Sequence, residues 1–229
     1  MKTRIIALVL LLLSLALCLT ACDDKTTPSE TKAPVARDTR APETQAAGTE
    51  GSLHGVLTDD AYVNDMLKLR VDKPEGWTFF TEEQIAASNN LTGSMLNTDV
   101  AALLEQNGQV IDMMVSNETG SNNLNLLLQP DNPALDAYSD AEVFELSESA
   151  FRTQLKSAGM EISSYESATM KVGGKERTVL CLVLDYSGTE IREYQIWCRS
   201  KQTYMGVLTL AIADGSDPQP ILDKITIND

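Results

Sequence analysis

The sequence predicts an α+β domain built on a mostly antiparallel sheet flanked by helices. Three observations carry this. The elements run strand, helices, strands, helix, strand meander and closing helix; Gly173-Gly174 lies between two β-rich runs; and Thr81 and Ser139 each mark a helix start.

In chain order, Tyr62-Val63-Asn64 and the alternating Leu67, Leu69 and Val71 read as one early strand. It stops at the Lys73-Pro74-Glu75-Gly76 turn, and Trp77-Thr78-Phe79 resumes it. Thr81 with Gln84 three residues on is a capping box, so a short helix follows through residue 87. Asn97 or Thr98 caps a second helix holding Val100, Leu103 and Leu104, which Gly108 ends. Residues 110–115 and 124–128 are strands joined by an Asn-rich loop. Ser139 caps the longest helix, where Val143, Phe144, Ala150, Phe151 and Leu155 fall near helical spacing and Gly159 is the stop. Strands are expected at 162–165, 169–172, 176–186, 191–198 and 204–212. Asp217-Pro218 then starts a short terminal helix containing Ile221, Leu222 and Ile225.

The chain divides into three parts. In residues 1–21, Lys2 and Arg4 precede an apolar run from Ile5 to Ala21, which is about 17 residues and marginal for a membrane span. Residues 22–52 are rich in Thr, Ser, Pro, Ala, Glu and Lys, with Val35 the single large aliphatic side chain, and cannot offset the entropy of ordering. They read as a disordered tether. Residues 53–229 are long enough for one domain with a substantial core.

The formal net charge is −15, and all of it falls on residues 53–229, which hold 12 Lys/Arg against 27 Asp/Glu. Such a balance repels phosphate and excludes an ordinary nucleic-acid binder. It would also hold the domain off an anionic surface, or simply keep it soluble.

The end of the apolar run, Leu19-Thr20-Ala21-Cys22, resembles a bacterial lipobox. The resemblance implies diacylglycerol on the Cys22 sulfur, cleavage before Cys22, fatty acylation of the new amino group, and a lipid-anchored protein on the outer side of the cell membrane. A plain signal peptide or an uncleaved anchor is the competing reading. Two acyl chains are what stable attachment needs. Asp23 resembles an inner-membrane retention signal of some Gram-negative lipoproteins, which leaves the leaflet open.

The segment Pro74-Glu75-Gly76-Trp77-Thr78-Phe79 running into a capped helix, the later long helix, the Gly-Gly hairpin and the closing helix are similar to the PsbP-like and Mog-like α/β/α sandwich domains. Lipoproteins of anaerobic Gram-positive bacteria carry a similar pattern. PsbP serves photosystem II and the Mog proteins bind the GTPase Ran, but none of their functional residues is matched here, so the resemblance implies a fold and not an activity.

The search for chemistry is largely negative. His54, the sole histidine, reads as an exposed residue at the tether's edge, and without it no Ser-His-Asp or Cys-His set can form in the domain. Two remaining cysteines cannot make a four-cysteine zinc site, and no phosphate loop, dinucleotide turn or nucleophile elbow is present. Carboxylate-based hydrolysis stays open as an alternative. No catalytic or metal-binding residue is assigned. Asp131 to Asp140 and Asn117 to Asn125 supply oxygens that could hold calcium, but solvated loops are the simpler reading.

Cys181 and Cys198 are the sharpest pair. If their strands turn around Thr189-Glu190, the two cysteines lie opposite one another, a register that invites a cross-strand disulfide; two buried free thiols are the alternative. Trp77, Phe79, Met113 and Met114 read as core. The function expected is a non-catalytic binding or assembly module for another envelope protein, with a solute- or cell-wall-fragment-binding lipoprotein as the alternative.

Overall fold

The computed structural model describes residues 53–89, 103–104, 108–199 and 203–228. The expected signal, Cys22 and the expected tether lie outside these residues, as does most of the expected helix around Val100, of which Leu103 and Leu104 are helical and buried. Among the described residues no helix is long and apolar enough to cross a membrane.

The elements are β1 (Val56–Leu57), β2 (Ala61–Asn64), β3 (Leu69–Asp72), β4 (Trp77–Phe79), α1 (Glu82–Ser88), β5 (Val110–Asn117) and β6 (Asn122–Pro130). They continue with α2 (Asp140–Ser157), β7 (Glu161–Val172), β8 (Lys175–Tyr186), β9 (Thr189–Arg199), β10 (Tyr204–Ile212), α3 (Gln219–Leu222) and β11 (Ile225–Ile227). The class is α+β, and every strand pairing is antiparallel. A seven-stranded sheet has the order β4-β5-β6-β10-β9-β8-β7, and a four-stranded sheet the order β1-β2-β3-β11.

Side chains alternate across a strand, so the large sheet presents two faces. One face packs on the small sheet: Leu124, Leu126, Leu128, Ile196, Leu208 and Leu210 meet Tyr62, Leu69, Val71 and Ile225. The other packs on α2, where Leu180, Leu182, Trp197 and Val207 meet Val143, Phe144, Phe151 and Leu155. α2 therefore covers one face, while the second face is covered by the small sheet, with Leu103, Leu104 and α3 residues Ile221 and Leu222 packed in the same core. Trp77 and Phe79 are half-buried against the first core, and Met113 and Met114 are buried.

Both capping boxes form. Thr81 Oγ1 accepts from the Gln84 amide and Ser139 Oγ from the Glu142 amide, with each glutamine or glutamate side chain returning to the cap backbone. Three boundaries differ from expectation. The early strand is a hairpin, because Asn64 Oδ1 accepts from the Leu67 amide at 3.0 Å and closes a turn that Lys68 leaves with φ 50°. The runs at 162–165 and 169–172 are one strand, β7, with a bulge at Ser163. The terminal helix stops at Leu222, and the alternating Ile225-Thr226-Ile227 adds β11 to β3.

β7 ends the large sheet. Two of its carbonyls are occupied by side chains from other elements: Arg152 Nη1 donates to Ile162 O at 3.0 Å, and Gln219 Nε2 to Lys171 O at 3.0 Å.

The β7–β8 turn is a two-residue hairpin with φ 57° at Gly173 and 79° at Gly174. The two glycines are not equivalent. A Cβ on Gly173 would stand 2.0 Å from Ile225 O, whereas one on Gly174 meets nothing within 4 Å. Gly174→Ala is expected to cost about 1–2 kcal/mol for its left-handed backbone. Gly173→Ala should cost clearly more, because it also pushes β11 away; urea denaturation of the two variants checks the order.

Candidate functional site

Two buried polar clusters and one half-buried charged cluster interrupt the apolar layers. The first lies where the domain begins. The bulge of β5 between Ile111 and Met113 turns Asp112 toward the small sheet. Its fully buried carboxylate accepts from the Tyr62 hydroxyl, from Gly55 N at 2.9 Å and from Asn64 Nδ2 at 3.4 Å, and is bonded to His54 Nδ1. Asn64 Nδ2 also donates to Leu53 O at 2.9 Å. His54 is thus held by the domain, with its ring about half exposed, and is not the loose tether residue that the sequence suggested. Burial, then the Asp112 charge, raises the Tyr62 hydroxyl well above its ordinary range.

The second cluster stands at the start of α2. Arg199 lies 3.5 Å from Asp136 Oδ1 and 3.7 Å from Asp140 Oδ1, donates to Leu135 O at 3.4 Å, and sits 5.1 Å from the centre of the Trp197 ring. Burial raises the Asp140 carboxyl, against the opposing pull of Arg199 and Arg177.

The third cluster is inside the sheet. On the α2-facing side, Asn123 and Asn125 of β6, Thr209 of β10, and Glu193 and Gln195 of β9 are all buried. The registers set Asn125 beside Thr209 beside Gln195, and Asn123 beside Ala211 beside Glu193. Among the described residues the Thr209 hydroxyl and both Glu193 carboxylate oxygens have no hydrogen-bond partner. Burial pushes the Glu193 carboxyl up to about 8, and Gln195 opposes this only in part.

The cysteines do not meet. The β8–β9 turn falls at Ser187-Gly188, with φ 53° and 82°, and not at Thr189-Glu190. This shifts the register by four residues. Cys181 pairs with Tyr194 on β9, while Cys198 pairs with Gly206 on β10. Both thiols are free, and burial pushes them up to about 11 for Cys181 and about 12 for Cys198.

In the oxygen-rich stretches β6 begins at Asn122, two residues before the expected start, so Asn123 lies in the strand and not in the loop, while Asn125 and Asp140 fall in the strand and helix expected for them. Among the described residues no group of three or more His, Cys, Asp or Glu could hold a metal. Sequence reasoning missed Glu193, Gln195 and Thr209. The signal was present in strict alternation, because Glu193 and Gln195 share a face with Ile191 and Trp197, and Thr209 with Val207.

No protein-family model matches this chain, and no curated protein does. Among solved structures it is similar to cyanobacterial PsbP (CyanoP) from Synechocystis sp. PCC 6803, at 12% identity and a TM-score of 0.42, covering 78% of this chain and 98% of that one. It is also similar to a protein of Bacteroides thetaiotaomicron VPI-5482, at 10% identity and a TM-score of 0.39. That match covers 76% of this chain and 50% of the other, so the chain spans half the length of the Bacteroides protein.

Removing Asp112 leaves several buried donors unpaired, so Asp112→Ala is expected to cost about 3 kcal/mol or more, and Tyr62→Phe about 1–2 kcal/mol. Equal midpoints in urea would show that the carboxylate does not organise the cluster. For Glu193, a folded-state value above the ordinary 4.5 means that stability is full below about 4.5 and is lost as pH rises through about 8. In chelated, low-salt buffer, Glu193→Gln should therefore flatten the fall in stability over that window relative to the parent chain.

Proposed function

We propose that the protein is a membrane-anchored extracytoplasmic lipoprotein whose domain works by non-catalytic binding, with another envelope protein as its partner. The observation that carries this reading is the sequence Leu19-Thr20-Ala21-Cys22 at the end of a charged and then apolar leader, followed by a tether and a single acidic domain. The tether gives reach without structure, and the anchor confines the domain to one surface, where even modest affinity is amplified by effective concentration. Leu146, on the outer face of α2, and Tyr138, just before it, are among the large apolar side chains left exposed, and a protein partner would bury them.

A second reading, binding of a small solute or cell-wall fragment, is favoured by the unpartnered polar side chains inside the sheet. Native mass spectrometry of the protein gently extracted from its own membranes separates the two. A co-purifying envelope protein, lost in Leu146→Glu, supports the partner reading; a small added mass without a protein supports the solute reading. For the anchor, Cys22→Ala is expected to abolish diacylglycerol on the chain and its recovery in membranes. Intact mass showing the lipid retained on that variant would overturn the lipobox assignment.

A further inference from the structure

The polar patch inside the large sheet has a definite shape. Six positions on the α2-facing side form a block two rows deep and three strands wide: Asn123 and Asn125 on β6, Ala211 and Thr209 on β10, Glu193 and Gln195 on β9. Five carry a side-chain oxygen. The sixth, Ala211, carries only a methyl. Adjacent strands stand about 4.8 Å apart, so Asn123 and Glu193 face each other across roughly 10 Å above that methyl. Ala211 is thus the one short side chain among five longer polar ones.

Apolar residues enclose the block. Leu127, Val207 and Trp197 form the next row on one side, Leu180 and Leu182 stand beside it on β8, and Ile191 follows Glu193 along β9. In such surroundings an ionised carboxylate without a donor is far more costly than a hydroxyl, and it is tolerated only with a proton or a cation upon it. Among the described residues no cation stands against the Glu193 oxygens and neither makes a well-formed hydrogen bond, the neighbouring Gln195 amide offsetting the burial only in part. Asn125 Nδ2 donates to Asn123 Oδ1 at 3.4 Å, which turns that amide oxygen along the ring.

We infer that this ring binds a hard, oxygen-seeking metal cation of the calcium or sodium type, with Glu193 as the anionic ligand and Gln195, Thr209 and Asn123 as neutral ones. A donor set of one carboxylate, amide oxygens and a hydroxyl, with neither thiol nor imidazole, suits such ions over zinc or copper. The acidic domain concentrates cations around itself. Without the cation, a proton takes its place on Glu193, whose carboxyl burial raises to about 8, so metal and proton compete for the same group. The site depends neither on the lipid anchor nor on an envelope partner.

Trp197 lies two residues beyond Gln195 on the same face, where its indole can sensitise bound terbium. The test is Tb³⁺ luminescence excited through tryptophan in the full chain, with CaCl₂ and NaCl as competitors and choline chloride as the ionic-strength control. Saturable emission is expected, displaced by Ca²⁺ or by Na⁺ but not by choline; which competitor acts identifies the ion. Glu193→Gln, which preserves shape, and Ala211→Leu, which puts a larger side chain at the centre of the ring without changing charge, should each weaken binding at least tenfold. Lowering the pH from 8 to 6 should weaken it, because proton and metal compete for the Glu193 carboxylate. Absence of saturable emission overturns the inference. So does emission that is the same in the parent chain and in Glu193→Gln, since Tb³⁺ would then occupy surface carboxylates alone.

Discussion

The middle strands β6 and β10, with β9 from Gln195 to Cys198, are buried on both faces, and the rest of the structure depends on this constraint. A strand exposed on one side can place polar residues outward; these stretches have no outward side. Their alternation sorts side chains between two cores, the small-sheet core on one face and the α2 core on the other. Any polar residue in them must then find a partner within the protein or bring one in. That is why a row of amides, a threonine and a glutamate in the centre of the sheet is informative, whereas the same residues in β7 would be ordinary.

The two sheets are joined by polar chemistry as well as by packing. Asp112 sits at an irregularity of β5 and collects donors from the small sheet and from the first residues of the domain. The bulge matters here, because it leaves position 112 out of the ladder with β6 and frees Asp112 to face the small sheet. A single carboxylate thereby fixes where the chain enters the fold and where the small sheet rests. At the other end of the small sheet, Gly173 abuts the Ile225 carbonyl and donates its amide to Leu222 O at 3.0 Å. The β7–β8 hairpin is thus set against the corner between α3 and β11.

Much of this architecture was legible in the sequence. Capping boxes at Thr81 and Ser139, the glycine pair at 173–174 and the apolar alternation of β10 are local signals, and local signals fix local structure. What failed was non-local. The pattern of the two runs points to a turn at Thr189-Glu190, two residues beyond the real one at Ser187-Gly188, and so small a difference shifts the whole β8–β9 register by four and separates the two cysteines. His54 looked like tether because its partner is 58 residues away in sequence. Ile225 looked helical because the strand it joins, β3, lies at the other end of the domain. The buried glutamate was readable by parity, but its lack of partners is a property of three strands at once and appears only when their registers are known.

The occupied carbonyls of β7 bear on how the molecule behaves in company. An end strand twelve residues long is a template onto which another chain can add, and a bulge alone interrupts it at only one point. Here Arg152 reaches from α2 to Ile162 O and Gln219 reaches from α3 to Lys171 O, so both ends of the exposed ladder are already engaged, while Glu161, Glu166 and Lys171 place charge along it. Sheet extension by a neighbouring copy would have to break these bonds. Side chains borrowed from two helices thus guard this edge against the addition of a further strand.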